Sequence, residues 1–234
     1  MGTTTNLAAP IQSFFESYLV HQRGLSSHTV LAYRDAMKLL LEFATQHCGK
    51  SCTELMVEDV SAEAVRKFLD YLERVRHNAV HTRNNRLAAI HAFFRYLATI
   101  EPRHLARCQA VLGVPFKRHA QPIPDYLERE EVLSIIGHID CRTPLGQRDD
   151  AILRLLYNSG MRASELVTLN VNQVRFSRPY WVRIYGKGHR ERTCPLWPET
   201  IRALKGYVED RTIRLTDAEP LFVNNDGQRL TRFG

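Results

Sequence analysis

The stretch Tyr157–Leu166, YNSGMRASEL, sets Arg162 two residues after Gly160, between an apolar segment and a short helical one. Upstream, RDDAILRLLYNSG carries a near-continuous apolar run. It predicts a buried helix ending at Gly160, because glycine takes the left-handed conformation that closes a helix without steric cost. A guanidinium that follows such a cap among apolar neighbours is expected to be partly sheltered, and a sheltered arginine needs an anion. Glu165, one turn on, can be that anion in a purely structural pair. The other reading is a phosphate clamp, since the planar fork of an arginine matches two phosphate oxygens. Taken alone, the ten residues leave both open.

Downstream the character of the chain changes. VNQVRF and YWVRIYG have strand composition, and ERTCPL can pair back on YWVRIYG across the turn GKGHR. A helix, PETIRALKGYVED, follows. Lys187 sits between two glycines at the tip of the predicted hairpin. A G-K-G turn is by itself most often a solvated loop. It is also no nucleotide-binding P-loop, which needs G-x-x-x-x-G-K-[ST] between a strand and a helix.

The first half reads as consecutive amphipathic helices with little strand signal. Ile11, Phe14, Phe15, Tyr18 and Leu19 recur at helical spacing up to Gly24. Ser26 or Ser27 can cap a second helix with Val30, Tyr33, Met37, Leu40 and Leu41 on one side. A third begins near Ser61 and is expected to bury Val65, Phe68, Leu69 and Leu72. A fourth runs from about Val80 through Leu87, Ile90, Phe94 and Leu97. Its first turn is polar and basic, which suits an ordinary helix with a solvated start. It equally suits a helix end that points Thr82, Arg83, Asn84 and Arg86 outward at phosphates and base edges.

Residues 113–125, GVPFKRHAQPIPD, hold three prolines and almost no periodicity, and read as extended chain between domains. After them LEREEVLSIIGHI reads as a helix. The expected architecture is therefore mainly α with a small β-sheet (α+β). A helical domain over 1–112 is joined by a linker, 113–125, to a second domain over 126–234.

The net charge of +7 suggests a polyanionic partner, and its distribution sharpens the suggestion. From Arg74 to Ile100 there is no acidic residue, while Arg74, Arg76, Arg83, Arg86 and Arg95 recur. The cysteines, Cys48, Cys52, Cys108, Cys141 and Cys194, are odd in number and form no C-x-x-C. They read as reduced thiols, with no metal site and no cofactor expected. No run approaches the ~18–20 apolar residues that span a bilayer. MGTTTNLAAP has no basic segment leading into an apolar one, so the expected location is the cytoplasm, with no membrane contact.

The order of elements carries more than any one of them. RDDAILRLLYNSGMRASELVTLNVNQV, a strand, YGKGHRERTCPL and a helix from Pro198 together resemble the tyrosine recombinase, or phage integrase, family, and most closely its Xer-like and transposon-encoded members. LSSHTVLAYRDAMKLLLEFA and HTRNNRLAAIHAFFRYL resemble the family's helical core-binding domain, so the likeness spans nearly the whole chain. The resemblance implies a tyrosine that attacks a DNA phosphate and forms a 3′-phosphotyrosyl link without metal. The protein itself must then neutralise charge on the non-bridging oxygens. By the same resemblance Arg162 is the first catalytic arginine, and Glu165 a supporting acidic residue. Lys187 is the hairpin lysine, similar to a general acid for the departing 5′-oxygen. Thr82, Arg83, Asn84, Arg86 and Arg190 are the expected DNA-binding residues. The implied partner is double-stranded DNA, with a homo-oligomer forming on it in a complete member.

The family completes its site downstream of the lysine, with a His/Lys-x-x-Arg helix, a further His or Trp, and the nucleophilic tyrosine. In these 234 residues no tyrosine follows Tyr207, which lies too near the hairpin to match. His104 to Arg107 precedes Arg162, and His189 to Arg192 lies in the hairpin itself, so neither H-x-x-R fits. The expectation is a C-terminally truncated recombinase of a mobile element, with no nucleophile, that binds DNA but does not recombine alone. A DNA-binding accessory or regulatory protein without catalytic activity, and a helical interaction module with an incidental basic stripe, remain as alternatives.

Overall fold

Serines start two of the helices in the first half. Ser26 accepts the Thr29 N–H to open helix α2, Ser27–Cys48, and Ser61 accepts the Ala64 N–H to open α3, Ala62–Arg74. Each supplies an oxygen to an N–H that the helix leaves orphaned. Before them, α1, Ala8–Ser13, continues into a π-helical stretch, Phe14–Gln22, that ends at Gly24 in the left-handed region with φ 54°. Two further helices follow: α4, Val80–Ile100, and a short α5, Leu105–Leu112, that periodicity does not announce.

The computed structural model describes residues 5–118, 125–186, 190–210 and 218–231. The chain falls into two units, Met1–Ile123 and Pro124–Gly234, each with its own core. In the first, α4 is the central element. Leu87, Ile90, Phe93, Phe94 and Leu97 are all fully buried, and His91 and Tyr96 nearly so, which makes the helix apolar on most of its circumference. Phe93 meets Phe14 edge-on at 5.4 Å, and Val65, Phe68, Leu69 and Leu72 of α3 are buried in the same core, as their spacing predicts.

The expected linker begins inside this unit. Val114 is 2% exposed and belongs to the first core, and Lys117 Nζ reaches Glu73 Oε2 at 2.6 Å. Residues 113–118 thus pack where an apolar side chain and an ion pair hold them. Residues 119–124 lie outside the described ones.

The second unit contains α6, Arg129–Gly137, α7, Pro144–Ser159, α8, Ala163–Leu166, and α9, Pro198–Asp210. Its three strands, β1 (Val174–Arg175), β2 (Trp181–Tyr185) and β3 (Glu191–Pro195), form one antiparallel sheet in the order β1-β2-β3. The register pairs Val182 with Cys194, Ile184 with Arg192 and Tyr185 with Glu191, so the two strands pair antiparallel as their composition predicts. α7 starts at Pro144, earlier than its apolar run suggests, because Thr143 accepts the Gly146 N–H there. It is only half buried: Ala151 and Leu155 enter the core, while Tyr157 stays exposed. The protein is mostly helical with one small antiparallel sheet.

Candidate active site

Gly160 closes α7 in the left-handed region, φ 59°, its N–H donating to Leu156 O at 2.9 Å. Met161 then buries its side chain and Arg162 turns extended, φ −76° and ψ 151°, as the residue that caps α8. The backbone N–H of Arg162 donates to Glu165 Oε2 at 2.9 Å, so the glutamate on the third helical residue satisfies the cap. This local geometry corrects one expectation. The Arg162 side chain is 72% exposed and is not sheltered, because a capping residue in extended conformation projects away from the helix that follows. The sheltered group is Glu165, whose side chain is 6% exposed.

Glu165 is held mainly by Arg192, which the sequence brings up only as the end of an H-x-x-R string that does not fit. Arg192 donates from Nη1 to Oε1 at 3.1 Å and from Nη2 to Oε2 at 2.7 Å, a two-pronged pair. Arg162 adds one bond from Nη1 to Oε1 at 3.0 Å. The Arg192 hydrogen bonds, joined by those from the Arg162 backbone and guanidinium, outweigh burial and hold the Glu165 carboxyl down to about 2. A signal for Arg192 does exist in the sequence. Cross-strand partners share a face of the sheet, so pairing with the buried Ile184 puts Arg192 on the inward side. Its own side chain is 41% exposed.

The hairpin touches the same cluster through Gly186. A methyl group built on its Cα would stand 3.2 Å from Glu165 Oε1 and 3.3 Å from Arg192 Nη1, so glycine leaves room for the ion pair. Its N–H donates to Arg190 O at 2.8 Å, which closes the turn. The Arg190 side chain is exposed. Lys187, the next residue after Gly186, lies outside the described residues, as does His189. Tyr207 is 5% exposed and stacks on Phe222 at 5.5 Å, with its hydroxyl accepting the Val223 N–H at 3.2 Å.

The basic turn of α4 is built differently. Arg83 donates to Pro115 O at 3.1 Å and faces Glu73 at 3.5 Å, with its side chain 12% exposed. Asn84 both donates to Lys117 O and accepts the Lys117 N–H. Arg86 donates to Asn78 Oδ1, and burial, aided by the nearby Arg76 charge, pushes its pKa down. Thr82 is half-buried. The outward-pointing arrangement expected for this turn is thus partly folded back on the chain at 115–117, because Glu73, just before the acid-free stretch, supplies the missing anion. Arg74, Arg76 and Arg95 of that stretch are exposed.

His104 is buried with its Nε2 2.8 Å from Thr5 Oγ1, and Arg107 donates to Glu58 O, so this pair of residues braces the first unit. Among the described residues no group of three or more His, Cys, Asp or Glu is arranged to hold a metal ion. No helix among them is long and apolar enough to cross a membrane.

The structure thus sets a helical unit before a second unit whose three-stranded sheet and arginine turn meet at Glu165. The profile of the phage integrase family matches residues 125–233, and that of the phage integrase N-terminal SAM-like domain matches residues 11–100. The chain belongs to the phage integrase family, the tyrosine-type site-specific recombinases. It is 36% identical over 229 residues to the putative integrase/recombinase y4rD of Sinorhizobium fredii, over 97% of this chain and 82% of that one. Tyrosine recombinase XerC of Myxococcus xanthus is 34% identical over 229 residues, covering 95% of this chain and 73% of the relative. Two solved structures share the fold. XerH site-specific recombinase bound to palindromic difH substrate superposes with a TM-score of 0.67 at 20% identity, over 89% of this chain and 60% of that one. A lambda integrase dimer bound to a COC′ core site gives 0.69 at 12% identity, over 99% and 61%.

Proposed function

We propose that these 234 residues bind double-stranded DNA, with Arg162 and Lys187 addressing the phosphate at which the family breaks and rejoins strands. The observation that carries this reading is the exposed Arg162 guanidinium beside a buried carboxylate that a second arginine already engages. Such a guanidinium keeps most of its N–H donors for an incoming anion. Two charge-assisted bonds to non-bridging phosphate oxygens would offset the charge that develops when the phosphorus is attacked. Lys187 would supply the proton to the departing 5′-oxygen, and Glu165 would support Arg162 without exchanging protons, since a carboxyl near 2 stays ionised at neutral pH.

In the first unit Arg74, Arg76 and Arg95 are exposed cations suited to DNA-backbone contacts, together with Thr82, Arg83, Asn84 and Arg86 at the start of α4; in the second unit Arg190 is exposed and suited to the same contact. Within these residues no tyrosine follows Tyr207, and Tyr207 is buried with its hydroxyl engaged. The proposal places this DNA binding in the cytoplasm and in the service of a mobile element. Assembly of several copies on DNA, as the lambda integrase dimer displays on its core site, is part of the same proposal.

The test is binding of fluorescent duplex DNA across a salt series. Arg162→Ala and Lys187→Ala are each expected to weaken binding and reduce the salt slope by about one contact. Unchanged affinity and slope in both variants would overturn the phosphate assignment.

A further inference from the structure

We propose that Arg192 is a positioning residue: by engaging both oxygens of Glu165 it leaves the Arg162 guanidinium free to meet a phosphate. This rests on the phosphate reading of Arg162 given above and adds a residue that the reading lacks.

The argument begins with the distribution of hydrogen bonds around one carboxylate. Glu165 is buried, and its two oxygens receive four donors: two from Arg192, one from the Arg162 backbone and one from the Arg162 side chain. Arg192 takes the two-pronged geometry. Arg162 is left with a single side-chain bond and a guanidinium 72% exposed. A buried carboxylate cannot stay half-paired without cost, so whichever arginine holds it fully is withdrawn from other anions. The fold assigns that task to Arg192. Its place on β3 opposite Ile184 puts it on the same sheet face as that buried side chain, with 41% of its own side chain exposed, and Gly186 keeps clear the space that a side chain there would take. Arg162, as the extended cap of α8, keeps its freedom.

Without Arg192 the same carboxylate would turn to the nearest remaining cation. Arg162 would close on Glu165 with both prongs, and its charge would be quenched before any phosphate arrived. Arg192 thus acts on DNA through Glu165 and Arg162. A direct phosphate contact by Arg192, or a purely structural role, predicts a different pattern of losses.

The experiment uses the whole 234-residue chain and a mixed-sequence fluorescent duplex on the order of 30 base pairs, long enough for several phosphate contacts. Trp181 and Trp197, both in the second unit, report whether each variant is folded. Arg192→Gln is expected to weaken binding about three- to tenfold, as Arg162→Ala does. Combining the two should cost no more than Arg162→Ala alone, because both act on one contact. The distinguishing outcome is rescue. Arg192→Gln/Glu165→Gln, which removes the quenching carboxylate, should recover most of the affinity lost in Arg192→Gln. If Arg192→Gln does not fold, Arg192→Lys, a point charge in place of a fork, should show a smaller loss that likewise vanishes in the Arg162→Ala background.

Additive losses, absence of rescue, or full affinity in Arg192→Gln while Arg162→Ala is impaired would each overturn the inference and leave the phosphate reading standing. Full affinity in Arg162→Ala would overturn that reading and the inference with it.

Discussion

Two basic regions of this molecule use arginine in opposite ways. At the start of α4, Arg83 is 12% exposed and spends its donors on Glu73 and on the backbone at Pro115. After Gly160, Arg162 is 72% exposed and shares a carboxylate that Arg192 already holds. In the first region the anion is half-buried and the cation pays for it by being fixed. In the second the anion is buried, a different cation satisfies it, and the cation of interest stays available. Charge counted along a sequence does not separate these cases. What separates them is which partner is buried and how many donors it already has.

The comparison is most easily broken at Arg192. Its replacement by Ala leaves Glu165 buried with Arg162 as the one remaining arginine, and should destabilise the second unit by about 1.5 kcal/mol, since Arg192 is itself 41% exposed and Arg162 still donates to the carboxylate. Urea unfolding followed by tryptophan fluorescence reads this unit alone, since both tryptophans lie in it. A loss under about 1 kcal/mol would mean that the pair contributes little beyond an exposed salt bridge.

Acid should part the two units next. Glu165 is held near 2 in the folded chain against an ordinary 4.5, so its contribution is full above about 4.5 and is lost as pH falls toward about 2. In the first unit His91 is buried with Nε2 3.1 Å from Val111 O, and burial lowers its pKa from an ordinary 6.5. A lowered histidine favours the neutral folded state, so its contribution is full above about 6.5 and declines below it. Amide protection factors in the first unit, corrected for the intrinsic exchange rate at each pH, should therefore fall between pH 7 and 5, while tryptophan-monitored stability of the second starts to fall only below about 4.5. The late fall should shrink in Glu165→Gln. Acid loss in the reverse order would contradict both assignments.

Arg83→Ala should cost the first unit about 1 kcal/mol, seen as faster amide exchange around α4 and residues 113–118, because Glu73 and the Pro115 carbonyl lose a partner. Any loss of DNA affinity in that variant then mixes a contact with a change of shape. The smallest stability effect belongs to Arg162→Ala, within about 0.5 kcal/mol, since Glu165 keeps Arg192. A large destabilisation there would show Arg162 to be the structural partner after all.

Much of this was legible before any coordinates. Apolar spacing found the first four helices, serine caps found the starts of α2 and α3, and Gly160 marked the end of α7. The hairpin follows from strand composition on both sides of GKGHR, and its order after the arginine turn carried the likeness to the recombinases. These features are local: a cap, a turn or a periodicity needs only its neighbours in sequence, and backbone sterics and hydrogen bonding settle it within a turn or two.

What remained hidden depends on residues far apart in the chain. Glu165 and Arg192 are 27 positions apart, and only the pairing of β2 with β3 and the packing of α8 beside them bring the two to 2.7 Å. Arg83 and Pro115 are 32 apart and meet because Val114 is buried in the first core. The sequence alone determined most of the elements, the family and Arg162 as a residue to watch. Tertiary structure decided that Glu165 is the buried group, that Arg192 holds it, and that Arg162 is left exposed. The reason is that an ion pair's geometry and solvation are set by the whole surround, where burial raises the cost of an unpaired charge.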